Sequence, residues 1–418
     1  MTRKIIAIIF IFICASVAWA ILGATIFART YDTGAVSSNR VASTWGSQQN
    51  QGPPTASFNT PITKQQDVAE NGKFVRKTWT EDLITDIPLE SSKVHVDLDL
   101  EHRQKGLLWY STYKVRFAGV YGFRNPSDKE QNLVFKLQFP TTQAIYDNLT
   151  FVVDGTPAAI SNEGNAAKTA VKIGPGKTAQ LAVAYSSQGL NEWRYSFGST
   201  DVTQVKDFNL KMSTNFKEID FPDNTLSPSE KHETDKGWDL TWSYNSLLSG
   251  YQIAMGMPEK LQPGPLAGRI SLFAPVSLFF FFFLMLIITT MRGIDLHPMN
   301  YFFLAAAFFS FHLLLAYLVD HISIHAAFAI SASVSVFLVV SYLRLVVGIG
   351  FASREAALAQ FVYLVLFSYA FFLKGFTGLA ITIGSVLTLF VVMQVTGRIH
   401  WAEKFAVKSP PKPAAEMS

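Results

Sequence analysis

Long apolar runs enclose a central region of mixed polar and apolar residues. Residues 1–27 and 270–397 are strongly apolar, whereas residues 28–269 are mixed. An apolar run of about 20 residues can cross a bilayer as a helix, and a helix satisfies its own backbone groups where water is absent. The pattern therefore predicts six transmembrane helices, at Ile5–Phe27, Ile270–Met291, Tyr301–Val319, His325–Val347, Leu358–Leu373 and Leu379–Val395.

The central region has the pattern of β-strands. In "KVHVDLDLEH", apolar Val94, Val96, Leu98 and Leu100 alternate with polar neighbours, which is the period of a half-buried strand. "NLVFKLQF", "AQLAVAYSS" and "DLTWSYNS" repeat the pattern between turn residues. Frequent short strands predict a mainly β domain, as a sandwich or a related fold. Residues 30–80 are rich in Ser, Gln, Asn, Thr and Pro, and this composition predicts a linker.

The fold class is thus a multi-domain membrane protein with a mainly β domain inserted after the first of six helices. The predicted parts are an N-terminal transmembrane anchor (1–27), the β domain (28–269), a five-helix transmembrane domain (270–397) and a basic tail (398–418). Arg3, Lys4 and the small residues Ala18 and Ala20 also fit a cleaved signal peptide. The first apolar run spans 23 residues, longer than the usual signal core of about 7–15, so we favour an uncleaved anchor.

Basic residues in the short loops favour one orientation. With the N-terminus in the cytoplasm, nine basic residues fall inside and only Lys374 lies in a short outside loop. The positive-inside rule favours this arrangement, which makes both termini cytoplasmic and sends the β domain to the outer side. The nine inside residues are Arg3, Lys4, Arg292, Arg344, Arg354, Arg398, Lys404, Lys408 and Lys412.

Composition agrees with a membrane protein and argues against nucleic-acid binding and against an intramolecular disulfide. Charged residues make up 16% of the chain, against a usual share of about 25%. The net charge of +4 is too small and too scattered to indicate nucleic-acid binding. Cys14 is the only cysteine and lies in the first apolar run, so no intramolecular disulfide can form.

The stretch "MRGIDLHPMNYFF" places four polar or conformationally special residues between two apolar runs. Arg292 suits the cytoplasmic end of a span. Asp295 or His297 can cap the next helix, and Pro298 suits its first turn. One Asp and one His supply too few ligands for a structural metal site. We therefore interpret the stretch chiefly as a helix start at the membrane surface, and keep a functional role for these four residues as the alternative.

At the opposite ends of these helices, Asp320, His321 and His325 form a D-H-x-x-x-H cluster. Histidines four residues apart share one helix face, as zinc ligands often do. Ile322 stands where the H-E-x-x-H motif has its Glu. A polar membrane edge explains the same residues, so we predict no metal and no other cofactor.

Two ionisable residues interrupt the apolar runs. Arg344 lies near the cytoplasmic end of its span, where its side chain can reach the interface. His312 lies deeper, and an ionisable residue inside the membrane is a functional hypothesis by default. Asp and Glu are absent from the predicted spans, which weighs against a proton-coupled or cation-coupled transporter. Gly378 and Gly384 are expected to mark close helix contacts.

Four stretches resemble the CreD family of bacterial inner-membrane proteins, also called cell envelope integrity proteins. The most specific is "LHPMNY" (Leu296 to Tyr301), followed by "WGSQQNQGP", "KGLLWYSTYKVRFAGVYGF" and "GRIHW". The resemblance covers most of the chain and implies an ordered element at residues 41–60, where composition indicates a linker. His400 stands where the family often has Asp, and "KGFTGLA" lacks the acid that often precedes the last span.

The resemblance implies a bacterial inner-membrane protein that supports envelope integrity or stress tolerance through its periplasmic β domain. It implies no defined reaction, and the sequence contains no G-x-S-x-G, H-E-x-x-H, Walker or dinucleotide motif. We therefore expect no enzymatic activity, with the lipid bilayer and envelope proteins or lipids as partners. The alternative function is a transporter or lipid-handling protein that uses the C-terminal helices; a tethered hydrolase ranks last.

Overall fold

The chain folds as two compact units. The structure is a computed structural model that describes residues 2–70, 73–105, 108–198 and 202–397. Residues 2–35, 108 and 261–397 form the membrane unit, and the described residues of 36–105 and 109–260 form the β unit. The predicted basic tail, 398–418, lies outside the described residues.

Six helices among the described residues are long and apolar enough to cross a membrane. One precedes the β unit and five follow it, as the sequence predicts. They are α1 (Thr2–Trp45), α2 (Pro263–Arg292), α3 (Pro298–Leu318), α4 (Ile324–Val346), α5 (Ile349–Phe372) and α6 (Thr377–Thr396).

Helix α1 is longer than the apolar run that predicts it. It continues without a break past Phe27 to Trp45, through residues whose composition indicates a linker. Side-chain packing in the β unit explains why this segment is helical: Val41 is buried, and the Arg103 guanidinium lies 3.4 Å from the centre of the Trp45 ring. Tertiary contacts of this kind override weak helix propensity.

Sixteen strands are present in the described part of the β unit, arranged in three sheets. The strands are β1 (Gln49–Gln51), β2 (Thr55–Glu70), β3 (Lys73–Ile87), β4 (Leu89–Lys105), β5 (Leu108–Arg124), β6 (Gln131–Gln138), β7 (Tyr146–Val153), β8 (Thr156–Pro157), β9 (Ser161–Glu163), β10 (Ala166–Ile173), β11 (Thr178–Leu190), β12 (Glu192–Tyr195), β13 (Thr203–Thr214), β14 (Glu230–Glu233), β15 (Trp238–Ser249) and β16 (Ile253–Gly256).

The largest sheet has the order β14-β15-β13-β4-β5-β11-β7-β8. The second has the order β3-β2-β6-β10-β9, and the third has the order β1-β12-β16. Inward-facing residues of all three sheets form one hydrophobic core; Phe123 of the largest sheet meets Phe135 of the second with ring centres 5.6 Å apart. The prediction of a mainly β domain is confirmed, and its three sheets share this core.

Residues 49–87, which begin within the predicted linker and extend beyond it, are mostly strand. Strands β2 and β3 pair along their full length as an antiparallel hairpin, from Ala56 opposite Ile87 to Glu70 opposite Lys73. Ala56, Phe58 and Ile87 at the base of the hairpin are buried. The linker prediction for 30–80 is therefore wrong, and the ordered element implied for 41–60 is confirmed. Composition does not reveal these strands because they are rich in polar residues, and most of the side chains beyond the base that the structure describes are exposed.

Three tyrosines place hydrogen-bonded hydroxyl groups within the core of the β unit. The Tyr113 hydroxyl donates to the Glu192 carbonyl at 2.9 Å and the Tyr185 hydroxyl donates to Gln51 Oε1 at 2.7 Å. Tyr146 donates to the Thr141 carbonyl at 2.7 Å. Burial raises the pKa of Tyr113 and of Tyr185 well above the ordinary value, and raises the pKa of Tyr146 to about 12. Each hydroxyl is thereby held neutral as a hydrogen-bond donor.

The membrane unit has its own core of apolar and aromatic side chains. Trp19 of α1 is completely buried there, and Phe281 of α2 lies 4.9 Å from Phe308 of α3 between ring centres. Two stretches of α5, Ala352–Ala356 and Phe361–Leu366, have π-helical backbone. In α6 only Val392 is buried among the described residues, so α6 contacts the rest of this unit least.

Candidate functional site

The connection between α2 and α3 is a helix stop followed directly by a helix start. Gly293 ends α2 with a left-handed backbone, φ 67°. His297 has an extended backbone, and its Nδ1 accepts a hydrogen bond from the Met299 backbone N–H at 3.2 Å. Pro298 is the first residue of α3, where a missing N–H costs nothing. The sequence prediction of a capped helix start is confirmed, with His297 as the cap.

Asp295 does not cap the helix but forms an ion pair with the start of α1. The Lys4 ammonium donates a hydrogen bond to Asp295 Oδ1 at 2.6 Å. This hydrogen bond and the charge of Lys4 hold the pKa of the Asp295 carboxyl below its usual value. The Asp295 side chain is 94% exposed, so the pair adds little stability. The pair nevertheless brings the start of α1 next to the α2–α3 connection.

Arg292 pairs with Glu355, an acid that falls outside the predicted spans. The Arg292 guanidinium donates to Glu355 Oε1, and Glu355 Oε2 is buried without a hydrogen-bond partner in the described residues. The expectation that the spans contain no acid is wrong because α5 begins at Ile349, nine residues before the predicted Leu358. The polar sequence "SREA" hid this first part of the helix.

The D-H-x-x-x-H cluster lies at the connection between α3 and α4. Asp320 is paired with Arg29 of α1, whose Nη1 lies 3.2 Å from Asp320 Oδ2. The His325 ring packs against the Phe372 ring, with centres 5.2 Å apart. No group of three or more metal-ligating side chains occurs among the residues that the structure describes. The acid of the cluster thus tethers α1 at the end opposite Lys4.

His312 is the most deeply buried candidate. Its side chain has no solvent exposure, and its Nδ1–H donates to the Phe308 carbonyl one turn earlier, at 3.1 Å. That bond leaves Nε2 as an acceptor, and Nε2 has no partner among the described residues. The Trp19 ring meets the His312 ring edge-on at 5.5 Å, and Trp19 Nε1–H also lacks a partner there.

A chain of two hydrogen bonds links α5, α4 and α3 near His312, and the sequence analysis did not predict it. It ends at the carbonyl of Ala307. Gln360 of α5 donates from Nε2 to Ser335 Oγ of α4 at 2.8 Å. Ser335 Oγ in turn donates to the Ala307 carbonyl of α3 at 2.6 Å. Gln360 and Ser335 are both completely buried. A Gln inside a predicted apolar span was the available signal, since a buried amide needs a partner.

Arg344 lies in the last turn of α4 and is exposed. A positive charge there is favourable to the carbonyl end of the helix. The structure therefore separates the candidates: Arg292, Asp295, His297 and Pro298 form a junction of helix ends, while His312 lies inside the bundle and Arg344 stands apart from both.

These features define a class: a multi-span membrane protein with a β unit inserted after its first helix. The chain belongs to the CreD family, because the family model, described as inner membrane protein CreD, matches residues 1–402. The resemblance read from the sequence is thereby confirmed. A search of curated proteins found no match.

Similar solved structures cover parts of the chain. A protein from Legionella pneumophila described as nutrient binding is 11% identical, with a TM-score of 0.33, and the match covers 47% of this chain and 71% of that one. An M1 zinc metallopeptidase from Deinococcus radiodurans is 10% identical, with a TM-score of 0.27, covering 41% of this chain and 42% of that one. Likeness at this level carries no conclusion about fold or function.

Proposed function

We propose that this inner-membrane protein supports cell envelope integrity without catalysing a reaction, by binding envelope proteins or lipids through its β unit. The observation that supports the proposal is that this member of an inner-membrane protein family combines membrane helices with a large β unit that has its own core. A β unit with its own core can present a binding surface while the helices hold it at the membrane.

The hairpin β2–β3 is the binding surface that we favour. Strand β3 is an outermost strand of its sheet, and outermost strands offer unpaired backbone groups to a partner strand. Trp79, Leu83 and Ile84 of β3 are all exposed. Large apolar side chains on an exposed edge mark interaction sites more often than scattered single ones do.

The proposed orientation places the β unit on the periplasmic side. Arg3, Lys4, Arg292, Arg344 and Arg354 lie at one end of the helix bundle. The opposite end carries Arg29, Arg269 and Lys374, and Asp320 offsets the charge of Arg29. The remaining basic residues of the prediction, Arg398, Lys404, Lys408 and Lys412, lie outside the described residues.

A complementation assay tests the envelope role. A strain that lacks the gene should become more sensitive to detergent and more permeable, and the intact gene should restore resistance. A variant with Trp79→Ser and Ile84→Ser should fail to restore it at equal protein level. Leu248→Ser, which changes an exposed apolar residue elsewhere in the β unit, is the control and should restore resistance. An unaltered envelope in the deletion strain would refute the proposal.

A transport or lipid-handling function is the second candidate, and the buried His312 favours it. Its Nε2, which has no partner among the described residues, and the nearby Gln360–Ser335 hydrogen bond are polar features within the bundle, where polar groups often serve transported substrates. Purified protein in liposomes should then move lipid or a small solute, and His312→Ala should slow that movement. Liposomes that show no movement with either protein would exclude this candidate.

A further inference from the structure

A long groove runs through the membrane unit between α2, α5 and α6. Its volume is about 780 Å³, within the usual range of about 300–1,000 Å³ for small-molecule sites. Along α5 the lining extends from Arg354 to Leu373, and along α6 from Ala380 to Val392. Phe280, Leu284 and Ile288 of α2 complete the groove. It therefore follows most of the length of a membrane-spanning helix.

The hydroxyl groups along the groove donate their hydrogen bonds to its own walls. Tyr363 donates its hydroxyl to Thr388 Oγ1 at 2.9 Å, and Thr388 donates to the Gly384 carbonyl at 2.8 Å. Ser385 donates to the Ile381 carbonyl at 2.8 Å. Since these donors are used within the wall, the length of the groove presents an apolar surface. A hydrocarbon chain matches such a surface better than a polar solute does.

One end of the groove is charged. Arg354 and Glu355 line it there, and Glu355 is paired with Arg292. Arg354 is exposed and has no ion-pair partner among the residues that the structure describes. The three side chains together carry one net positive charge, which an anionic group with one negative charge would balance. This end lies with the basic ends of α2 and α4, where lipid headgroups would be found.

The walls of the groove also differ from ordinary helix packing. The two π-helical stretches of α5, Ala352–Ala356 and Phe361–Leu366, both contribute lining residues, and π-helical turns occur often at functional sites. Gly378 and Gly384 of α6 were expected to mark close helix contacts, but a Cβ at either position would meet no atom within 4 Å. At Gly384 the missing side chain leaves room within the groove itself.

We propose that this groove binds one anionic phospholipid, with one of its two acyl chains along α5 and α6 and its phosphate on Arg354. An apolar channel that ends at an uncompensated cation fits a molecule with a long apolar part and a single negative charge. The site does not depend on the envelope role proposed above, because it lies wholly within the membrane unit.

The headgroup contact can be tested on the full chain purified in detergent. Native mass spectrometry would measure binding of phosphatidylglycerol and of phosphatidylethanolamine with the same acyl chains. We expect phosphatidylglycerol to bind more tightly, and Arg354→Gln to weaken it roughly fivefold to tenfold. Arg344→Gln is the matched control, since it removes an exposed arginine at the same end that does not line the groove. Equal binding of both lipids, or equal loss in the two variants, would overturn the proposal.

The acyl-chain contact has its own matched pair of variants. Gly384→Phe places a large side chain in the groove and should abolish the bound lipid. Gly378→Phe makes the same change on the same helix, at an open position outside the groove, and should leave binding intact. Retention of the lipid by Gly384→Phe would refute the site. A dimer of the wild-type chain that Gly384→Phe dissociates would assign the groove to a second copy instead.

Discussion

Two histidines show how position decides what the same side chain does. His297 stands just before α3, where its Nδ1 accepts a backbone N–H that the helix cannot pair itself. His312 lies about four turns into that helix, where its Nδ1–H donates to its own helix and its other nitrogen stays unpartnered in the described residues. The hydrogen bond of His297 stabilises the start of a helix. The hydrogen bond of His312 leaves its Nε2 as a buried acceptor that contributes nothing to packing.

Replacing His297 should separate capping from any further role. His297→Ala removes the cap and should lower the free energy of unfolding by about 0.5–2 kcal/mol. His297→Asn should retain most of that stability, because Asn is a strong N-cap residue. Thermal unfolding in detergent would measure both. An Asn variant that folds normally yet loses envelope resistance would show that His297 does more than begin a helix.

The tyrosines of the β core predict loss of stability at alkaline pH. Burial raises the pKa of Tyr113, Tyr185 and Tyr146 in the folded chain, to about 12 for Tyr146, while the unfolded chain titrates near ~10. Below ~10 both states hold these protons, so the full stability is present. As pH rises from ~10 toward 12, the unfolded state loses protons first and the free energy of unfolding falls.

Urea unfolding of the purified full chain, followed by circular dichroism at increasing pH, checks this prediction. The midpoint should fall as pH rises above ~10, and tyrosinate absorbance should increase together with unfolding. Tyr146→Phe should reduce the slope because it removes one titrating group. Tyrosinate that forms near ~10 while the strand signal stays intact would contradict the burial argument.

At the scale of elements, the sequence predicts what depends on local pattern and misses what depends on distant partners. Six apolar runs give six helices, and alternation at Val94, Val96 and Leu98 correctly marks β4. The start of α5 was not predicted because a charged residue such as Glu355 is typical of a loop between spans. Its partner in the structure, Arg292, lies on another helix. The helical residues before Trp45 depend in the same way on Arg103, which comes much later in the chain.

In the candidate site, too, features set by neighbouring residues were predicted and contacts between distant residues were not. The cap at His297 and the first-turn Pro298 follow from neighbouring residues and were predicted. The pairs Lys4–Asp295 and Arg292–Glu355 join helices far apart in the sequence, so no local pattern could identify them. The prediction for Gly384 was wrong in the opposite way: a small residue indicates close packing only where another helix approaches, and no atom of the described residues lies within 4 Å of a Cβ placed at Gly384.

The hairpin β2–β3 should be separable from the core that supports it. Its buried residues, such as Phe58 and Ile87, lie at the base. Replacing residues 64–79 by a short turn should therefore change the unfolding midpoint little, while it removes envelope resistance. Phe58→Ala should instead cost about 3–5 kcal/mol. Thermal unfolding and limited proteolysis of the full chain would compare the two. Global unfolding of the shortened chain would show that the hairpin supports the fold.

At the scale of the whole molecule, orientation is the property on which the proposed function depends. The end of the bundle with Lys4, Arg292 and Arg354 is predicted to face the cytoplasm, and the chain enters the β unit from the other end of α1. A β unit on the cytoplasmic side could not bind periplasmic partners.

Thiol labelling in intact cells checks the orientation. Cys14→Ala gives a background without cysteine. In that background Asp235→Cys, at an exposed turn of the β unit, should react with a membrane-impermeant reagent in cells whose outer membrane alone is opened. Ser353→Cys, exposed near the start of α5, should react only after the inner membrane is opened as well. The reverse pattern would place the β unit in the cytoplasm.

Helix α1 forms ion pairs with the helix bundle near both of its membrane ends, Lys4 with Asp295 and Arg29 with Asp320. Because 29 − 4 = 25 residues separate the two basic side chains, the two ion pairs lie about 38 Å apart along the helix. This distance is somewhat more than the thickness of a hydrocarbon layer, about 30 Å. We therefore expect the protein to fit best in a bilayer whose hydrocarbon layer is thinner than this spacing. A bilayer with a thicker hydrocarbon layer must either draw one charged pair into hydrocarbon or deform around the protein, and both cost free energy.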